Sequence, residues 1–116
     1  MPRRTSNRDD DPVRMRLCLA ATALEFGMDD QDIATPKRRG PLVDLARQVA
    51  MRLAHTSFGM THTRIGALIG RDRTTVRHGC DVVEDECDDP IFAARIERLE
   101  TVLSPFITDG KGQYEP

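Results

Sequence analysis

The residues in this sequence best suited to chemistry are Arg71, Asp72, Arg73, Thr74, Thr75, Arg77 and His78. Their types suit contacts to phosphate and to base edges rather than bond making. The first turn of a helix exposes N–H groups and partial positive charge, which attract anions. Threonine hydroxyls add donors, and an arginine on an outward face matches guanine with two hydrogen bonds. Other constellations are weaker. Cys80, Cys87 and His78 suggest a metal, but Cys80 and Cys87 fall on one helical stripe and His78 on another. Zinc needs four convergent ligands, so no metal site is expected and the thiols are expected in the core. The acids from Asp81 to Asp89 read as a solvated run or as a docking surface for a basic partner, not as general acids or bases. His55 and His62 are expected at helix ends or on the surface. No Ser/His/Asp or Cys/His spacing is present, so no enzyme, cofactor or small-molecule substrate is expected.

A net charge of −2 over 116 residues argues against nucleic acid until it is divided along the chain. Residues 37–78 hold nine Lys/Arg against two Asp/Glu, whereas residues 79–116 hold three against ten. A concentrated basic segment is the electrostatic footprint of a phosphate-binding surface. The longest apolar stretch, Leu17 to Leu24, is far shorter than the roughly 20 residues of a membrane span. The start, Met1 to Ser6, leads into three aspartates instead of an apolar run, so a secretory signal is not expected. Three cysteines at irregular spacing fit a reduced thiol state. A cytoplasmic, nucleoid-associated protein with no membrane partner is the expectation.

The elements that must position these residues are helices. With 39% hydrophobic and only 4% aromatic residues, the chain leans towards an all-α fold of about five to six helices. Residues 1–11 read as a disordered tail, residues 12–106 as one helical domain, and residues 107–116 as a flexible end. The first helix is expected from Pro12 to Phe26, with Val13, Leu17, Ala20, Ala21 and Leu24 facing the core. A short turn over Asp29 to Ile33 and a basic loop, Thr35 to Pro41, follow. The second long helix, Leu42 to His55, is expected to bury Leu42, Leu45, Ala46, Val49 and Leu53, leaving Arg47, Gln48 and Met51 mostly elsewhere. A short helix, Thr61 to Ile69 with Thr61 as cap, precedes a tight turn at Gly70-Arg71. Asp72 is the expected cap of the next helix, Arg73 to Glu86, whose inner stripe is Val76, Cys80, Val83 and Cys87. A last helix, Pro90 to Leu103, carries Phe92, Ile96, Leu99 and Leu103. Short helix, glycine turn and Arg/Thr-rich helix start together form a helix-turn-helix pattern.

From about Pro12 to Ser104 the chain resembles the C-terminal DNA-binding domain (domain IV) of the bacterial replication initiator DnaA. The resemblance rests on Ala46-Arg47-Gln48-Val49-Ala50-Met51, Ile65-Gly66 and Arg71-Asp72-Arg73-Thr74-Thr75-Val76-Arg77-His78-Gly79-Cys80. The family pattern reads ARQ-hydrophobic-A-M, EIG, then GGRDHTTV-x-HAC. Leu24-Glu25-Phe26-Gly27, Asp32-Ile33 and Lys37-Arg38-Arg39 agree upstream. The resemblance implies roles. Arg39 would enter the minor groove, and Arg47 and Gln48 would hold the DNA backbone. His62 and Thr63 would pack near DNA in place of the family's Leu-Pro pair. Asp72, Arg73 and Thr74 would read bases, and Thr75 and His78 would face phosphates.

The differences are as definite. Arg73 stands where the family has histidine, which changes the base edge read there. One glycine before Arg71 is missing. Asp81, Glu84, Asp85 and Glu86 replace the basic residues that commonly follow in the family, and acids there oppose phosphate. No G-x-x-x-x-G-K-[ST] loop is present, so a stand-alone relative of one domain is expected rather than the initiator. The leading expectation is a non-enzymatic, sequence-specific binder of double-stranded DNA, with initiator-box-like sites as candidates, regulating replication initiation or transcription. The rival is an interaction protein whose acidic helices bind a replication-initiation protein.

Overall fold

Alanines at positions 46, 50 and 54 recur once per turn, and with Val49 and Leu53 they are completely buried. Such a row of small side chains lets other helices lie close, and the helix that carries it becomes the centre of the molecule. The computed structural model describes residues 10–34 and 40–107. Within them are α1 (Asp11–Phe26), α2 (Asp30–Ala34), α3 (Pro41–Phe58), α4 (His62–Ile69), α5 (Arg73–Glu86), α6 (Pro90–Leu103) and a 3-10 turn (Ser104–Phe106), with no strand. The central helix is α3. Helix α1 lies along it, α5 crosses it on another side, and α2, α4 and α6 also touch it. The all-α expectation and the order of the elements hold.

Two expected core faces need correction. Of the face expected for helix α1, Val13 and Leu24 are exposed, Leu24 at 84%, while Leu17, Ala20 and Ala21 are half-buried at its edge; the buried side is Met15, Cys18, Leu19, Thr22 and Ala23. Both sets repeat at three-to-four spacing, so periodicity cannot choose between them. The choice is made by contact with α3, and the inner side carries charge as well. Asp11 and Arg14 are buried on the inner side, where Arg14 meets Asp10 at 3.7 Å and Asp11 at 3.6 Å. Asp11 also takes the Arg64 guanidinium of α4 at 3.2 Å. The second correction concerns α3. Leu42 is mostly exposed, while Arg47, Ala50, Met51 and Ala54 join the buried set. A helix packed by neighbours on several sides buries more than one stripe.

The later helices follow their expected pattern. Helix α5 buries Val76, Cys80 and Val83 together with Gly79, and Cys87 is half-buried. Helix α6 buries Phe92, Ile96, Leu99 and Leu103. It is fastened to the end of α1 by Glu25, whose carboxylate accepts from Arg95 Nε at 3.0 Å and from Arg98 Nη2 at 2.7 Å. Arg95 also donates to the Glu25 carbonyl at 2.9 Å and lies over the Phe26 ring at 4.2 Å from its centroid. The hydrogen bond from Arg98, aided by that from Arg95, holds the Glu25 carboxyl below its usual range.

Between α4 and α5 the chain turns in three residues. Gly70 adopts a left-handed conformation with φ 76°, which costs a side-chain-bearing residue about 1 kcal/mol. The amides of Gly70 and Arg71 both donate to the Gly66 carbonyl at 2.9 Å. Gly66 itself is buried, and a Cβ there would run into the Arg71 carbonyl. The turn therefore passes over α4 at the one position without a side chain.

Three stability measurements follow from this packing. Replacing Gly66 by Ala is expected to cost about 1–3 kcal/mol or more in denaturant unfolding, because backbone must move. A fully folded, undiminished Gly66→Ala protein would contradict the close approach. Thr22 is fully buried and its hydroxyl has no hydrogen-bond partner among the described residues. Thr22→Val should therefore stabilise by about 1 kcal/mol, and a loss would show that the hydroxyl is bonded. Glu25→Gln should destabilise at neutral pH. The depressed Glu25 value places that contribution above the unfolded carboxylate's 4.5 and removes it as pH falls through the folded value. Wild type and Glu25→Gln should converge in stability at acid pH.

Candidate nucleic-acid interface

Helix α5 begins on a well-formed cap. Asp72 has extended backbone angles, and its carboxylate accepts from the Thr75 amide at 2.8 Å. That backbone bond draws the Asp72 carboxyl below its usual range. Thr61 caps α4 in the same way, accepting from the Arg64 amide at 3.0 Å. Both expected caps are therefore in place. With Val76, Gly79 and Cys80 turned inward, Arg73, Thr74, Thr75, Arg77 and His78 are all exposed. Arg73 and Arg77 make no ion pair among the described residues, one turn apart on the outer surface of α5.

Grooves flank this helix on both sides. One, of about 320 Å³, lies between the start of α4 and α5 and is lined by Thr61, His62, Thr63, Arg73, Thr74 and Arg77. The other, also about 320 Å³, lies between α3 and α5 and includes Asp44, Arg47, Gln48, Arg71, Thr75 and His78 in its wall. Every candidate contact residue expected from the sequence within the described residues lines one of these grooves, except Asp72, which caps the ridge between them. Arg39 lies outside the described residues. The start of α5 is thus a ridge with outward arginines, bordered by troughs rich in hydroxyl, amide and imidazole groups.

Arg47 needs a correction. The sequence placed it off the buried stripe of α3, but it is 5% exposed. Its Nε donates to the Ile33 carbonyl at 2.9 Å, Nη2 to the Asp32 carbonyl at 3.5 Å and Nη1 to Asp44 at 3.2 Å. Carbonyls at the end of a helix lack intrahelical partners, and an arginine satisfies them well. Arg47 therefore ties α2 to α3 and forms the floor of the second groove. Gln48, its neighbour, is half-buried in the wall.

The basic segment is also less uniform than its composition. Arg47 is paired with Asp44, Arg64 with Asp11, and Arg52 with Glu84 at 3.4 Å. The acids after Cys80 act at a distance. Glu84 lies eleven residues beyond Arg73, which is about 16 Å along a helix, and screening at physiological salt acts over about 8 Å. Exposed Asp81 is closer, one turn beyond Arg77.

Some residues of the site had no signal in the sequence. His55 stacks on His62, with ring centroids 4.3 Å apart and planes 28° from parallel. The pairing depends on the sharp turn at Gly59-Met60, which folds the end of α3 against the start of α4. The spacing of seven residues does not announce it. Asp44 could have been read as a helical partner of Arg47 three residues on. Among the described residues no three His, Cys, Asp or Glu converge as metal ligands. Burial pushes the Cys80 thiol up to about 11, which leaves it protonated and a poor ligand. No helix among the described residues is long and apolar enough to cross a membrane.

Comparison with known proteins agrees with this geometry. Residues 16–83 match the family described as the bacterial DnaA protein helix-turn-helix. The chromosomal replication initiator protein DnaA of Bacteroides fragilis is 39% identical over 80 residues, which is 67% of this chain and 17% of that protein. The same-named protein of Bartonella quintana is 32% identical over 101 residues, covering 85% of this chain and 20% of its own length. That of Thermomicrobium roseum is 39% identical over 71 residues, 60% of this chain and 15% of its own. The chain thus spans a fifth or less of the length of these relatives. Matched over more than half its length, with α3 and α4 inside the matched segment and α5 inside it as far as Val83, the chain belongs to the bacterial DnaA helix-turn-helix family.

Proposed function

We propose that this chain is a non-enzymatic, sequence-specific binder of double-stranded DNA that regulates replication initiation or transcription. The observation that carries the proposal is the ridge of α5 between two polar grooves, with Arg73 and Arg77 outward and every described candidate contact residue on the ridge or its flanks. A helix of this kind fits the major groove, about 12 Å wide. Arg73 and Thr74 then reach base edges from the first turn of α5, and Asp72 sits beside them. The groove walls follow the two strands: Gln48, Arg71, Thr75 and His78 on one side, and His62, Thr63 and Arg77 on the other. Arg47 contributes from below by fixing the wall that bears Gln48. The family's pattern assigns Arg39 to the minor groove. The relatives are replication initiators by name, which supports initiator-box-like duplexes as targets.

A second reading, docking of a basic replication-initiation protein, is favoured by one observation. Glu86, Asp88 and Asp89 are exposed where α5 passes into α6, and Ile91 beside them is 75% exposed. An apolar side chain rimmed by acids fits a protein surface better than DNA. Ionic strength separates the two readings, because each neutralised phosphate releases counterions. Steep, sequence-dependent duplex binding supports the first; negligible binding at low salt leaves the second.

Selection of bound duplexes from a random pool should enrich one motif. On that motif Arg73→Ala is expected to lose roughly 1–3 kcal/mol of binding and to relax selectivity at one base pair. An Arg73→Ala protein that binds all duplexes as wild type does would remove Arg73 from base reading.

A further inference from the structure

Two of the three imidazoles in this chain stack on each other at the edge of the groove between α4 and α5. His55, near the end of α3, is oriented by a 2.8 Å hydrogen bond between its Nδ1 and the Met60 carbonyl. A carbonyl only accepts, so Nδ1 carries the proton of that bond. His62, the first residue of α4, lies on the His55 ring at a centroid distance of 4.3 Å and borders the groove with Thr61, Thr63, Arg73, Thr74 and Arg77. The charged and titratable groups that face His62 are His55 from α3 and Arg73, Arg77 and Asp81 from α5. The arginine of its own helix, Arg64, is turned instead to Asp11 of α1.

Two arginines and a second imidazole against a single acid make a proton on His62 costly in the unliganded protein. Loss of hydration, then His55 and Arg77, hold its value below the ordinary 6.5 of histidine, with Asp81 opposing. A nucleic-acid phosphate in the same groove reverses the balance, because it neutralises the arginines and pairs with an imidazolium.

We infer that the His55–His62 stack is a proton-uptake site for the DNA strand lying in this groove, so that duplex binding is coupled to protonation of His62. The inference rests on the DNA-binding reading above and deepens it. The proton comes from solvent and stays on the imidazole, and no bond to DNA is made. The sign follows from the two values. His62 has the lower one in the unliganded protein and the higher one in the complex. Affinity therefore rises as pH falls through the complex value and levels off below the unliganded one. The gain equals the ratio of the two proton affinities of His62, and a gain of about three- to tenfold is expected.

The test is a titration of the selected duplex at pH 7.5, 6.5 and 5.5 and constant ionic strength, with wild type, H62Q and H78Q. His78 is the remaining imidazole and lines the opposite groove, so the part of the gain that H62Q removes should survive in H78Q whatever its affinity. Wild type should gain about three- to tenfold in affinity on acidification, and H62Q should gain little. An imidazole NMR titration of the wild-type chain makes the result independent of how well H62Q folds: the His62 value should rise when duplex is added. A wild-type affinity that does not change with pH, an unchanged gain in H62Q, or a His62 value that stays put with duplex overturns the inference. Absence of sequence-dependent binding at every pH overturns the DNA-binding reading itself.

Discussion

A Cβ on Gly79 would sit 3.0 Å from Gln48 Cγ and 3.1 Å from Met51 Sδ, tighter than ordinary side-chain contact. At this point α5 crosses α3, and the glycine lets the two helices come close. Gly66 does the same work at the other end, where the turn into α5 passes directly over α4. Between them these two close approaches fix the height and direction of α5. The grooves on its flanks exist because the helix is pressed against α3 and tethered to α4. Gln48 stands beside Thr75 and His78 for the same reason. The remaining packing, α1 along α3 and α6 clasped to α1 by Glu25, keeps that central crossing rigid.

Charge is distributed to match. Within the fold, four arginines on α1, α3 and α4 face carboxylates and carbonyls: Arg14 on Asp10 and Asp11, Arg47 on Asp44 and α2, Arg64 on Asp11 and Arg52 on Glu84. These pairs hold helices together, and among the described residues Arg73 and Arg77 stand exposed on the first half of α5. The acids gather at its far end and on the connection to α6. One helix therefore presents opposite signs at its two ends, and a net charge near zero is compatible with a strongly polar surface.

Two of the departures from the family pattern fall on one groove. His62-Thr63 replaces an apolar pair and Arg73 replaces a histidine, so a wall that would be partly apolar becomes cationic and hydroxyl-bearing. His55 beneath His62 orients the exchanged side chain by stacking. The opposite groove, with Gln48, Thr75 and His78, keeps the family's residue types.

The sequence by itself determined the helices from Thr61 onward, their caps at Thr61 and Asp72, the turn at Gly70 and the outward set on α5. These are local matters: capping residues, glycine punctuation and one clear apolar stripe per helix leave a single answer. The pattern around Arg71 to Cys80 also fixed the family. Tertiary structure decided what local pattern leaves degenerate. Helix α1 offers two apolar stripes of equal period, and only the contact with α3 and the reach of Arg64 from α4 to Asp11 select Met15, Cys18 and Leu19 over Val13 and Leu24. Arg47 reads as a surface arginine until α2 brings the Asp32 and Ile33 carbonyls to it. The His55–His62 stack needs the turn at Gly59 before either ring has a neighbour. In each case the deciding partner comes from another helix, and sequence spacing holds no information about it.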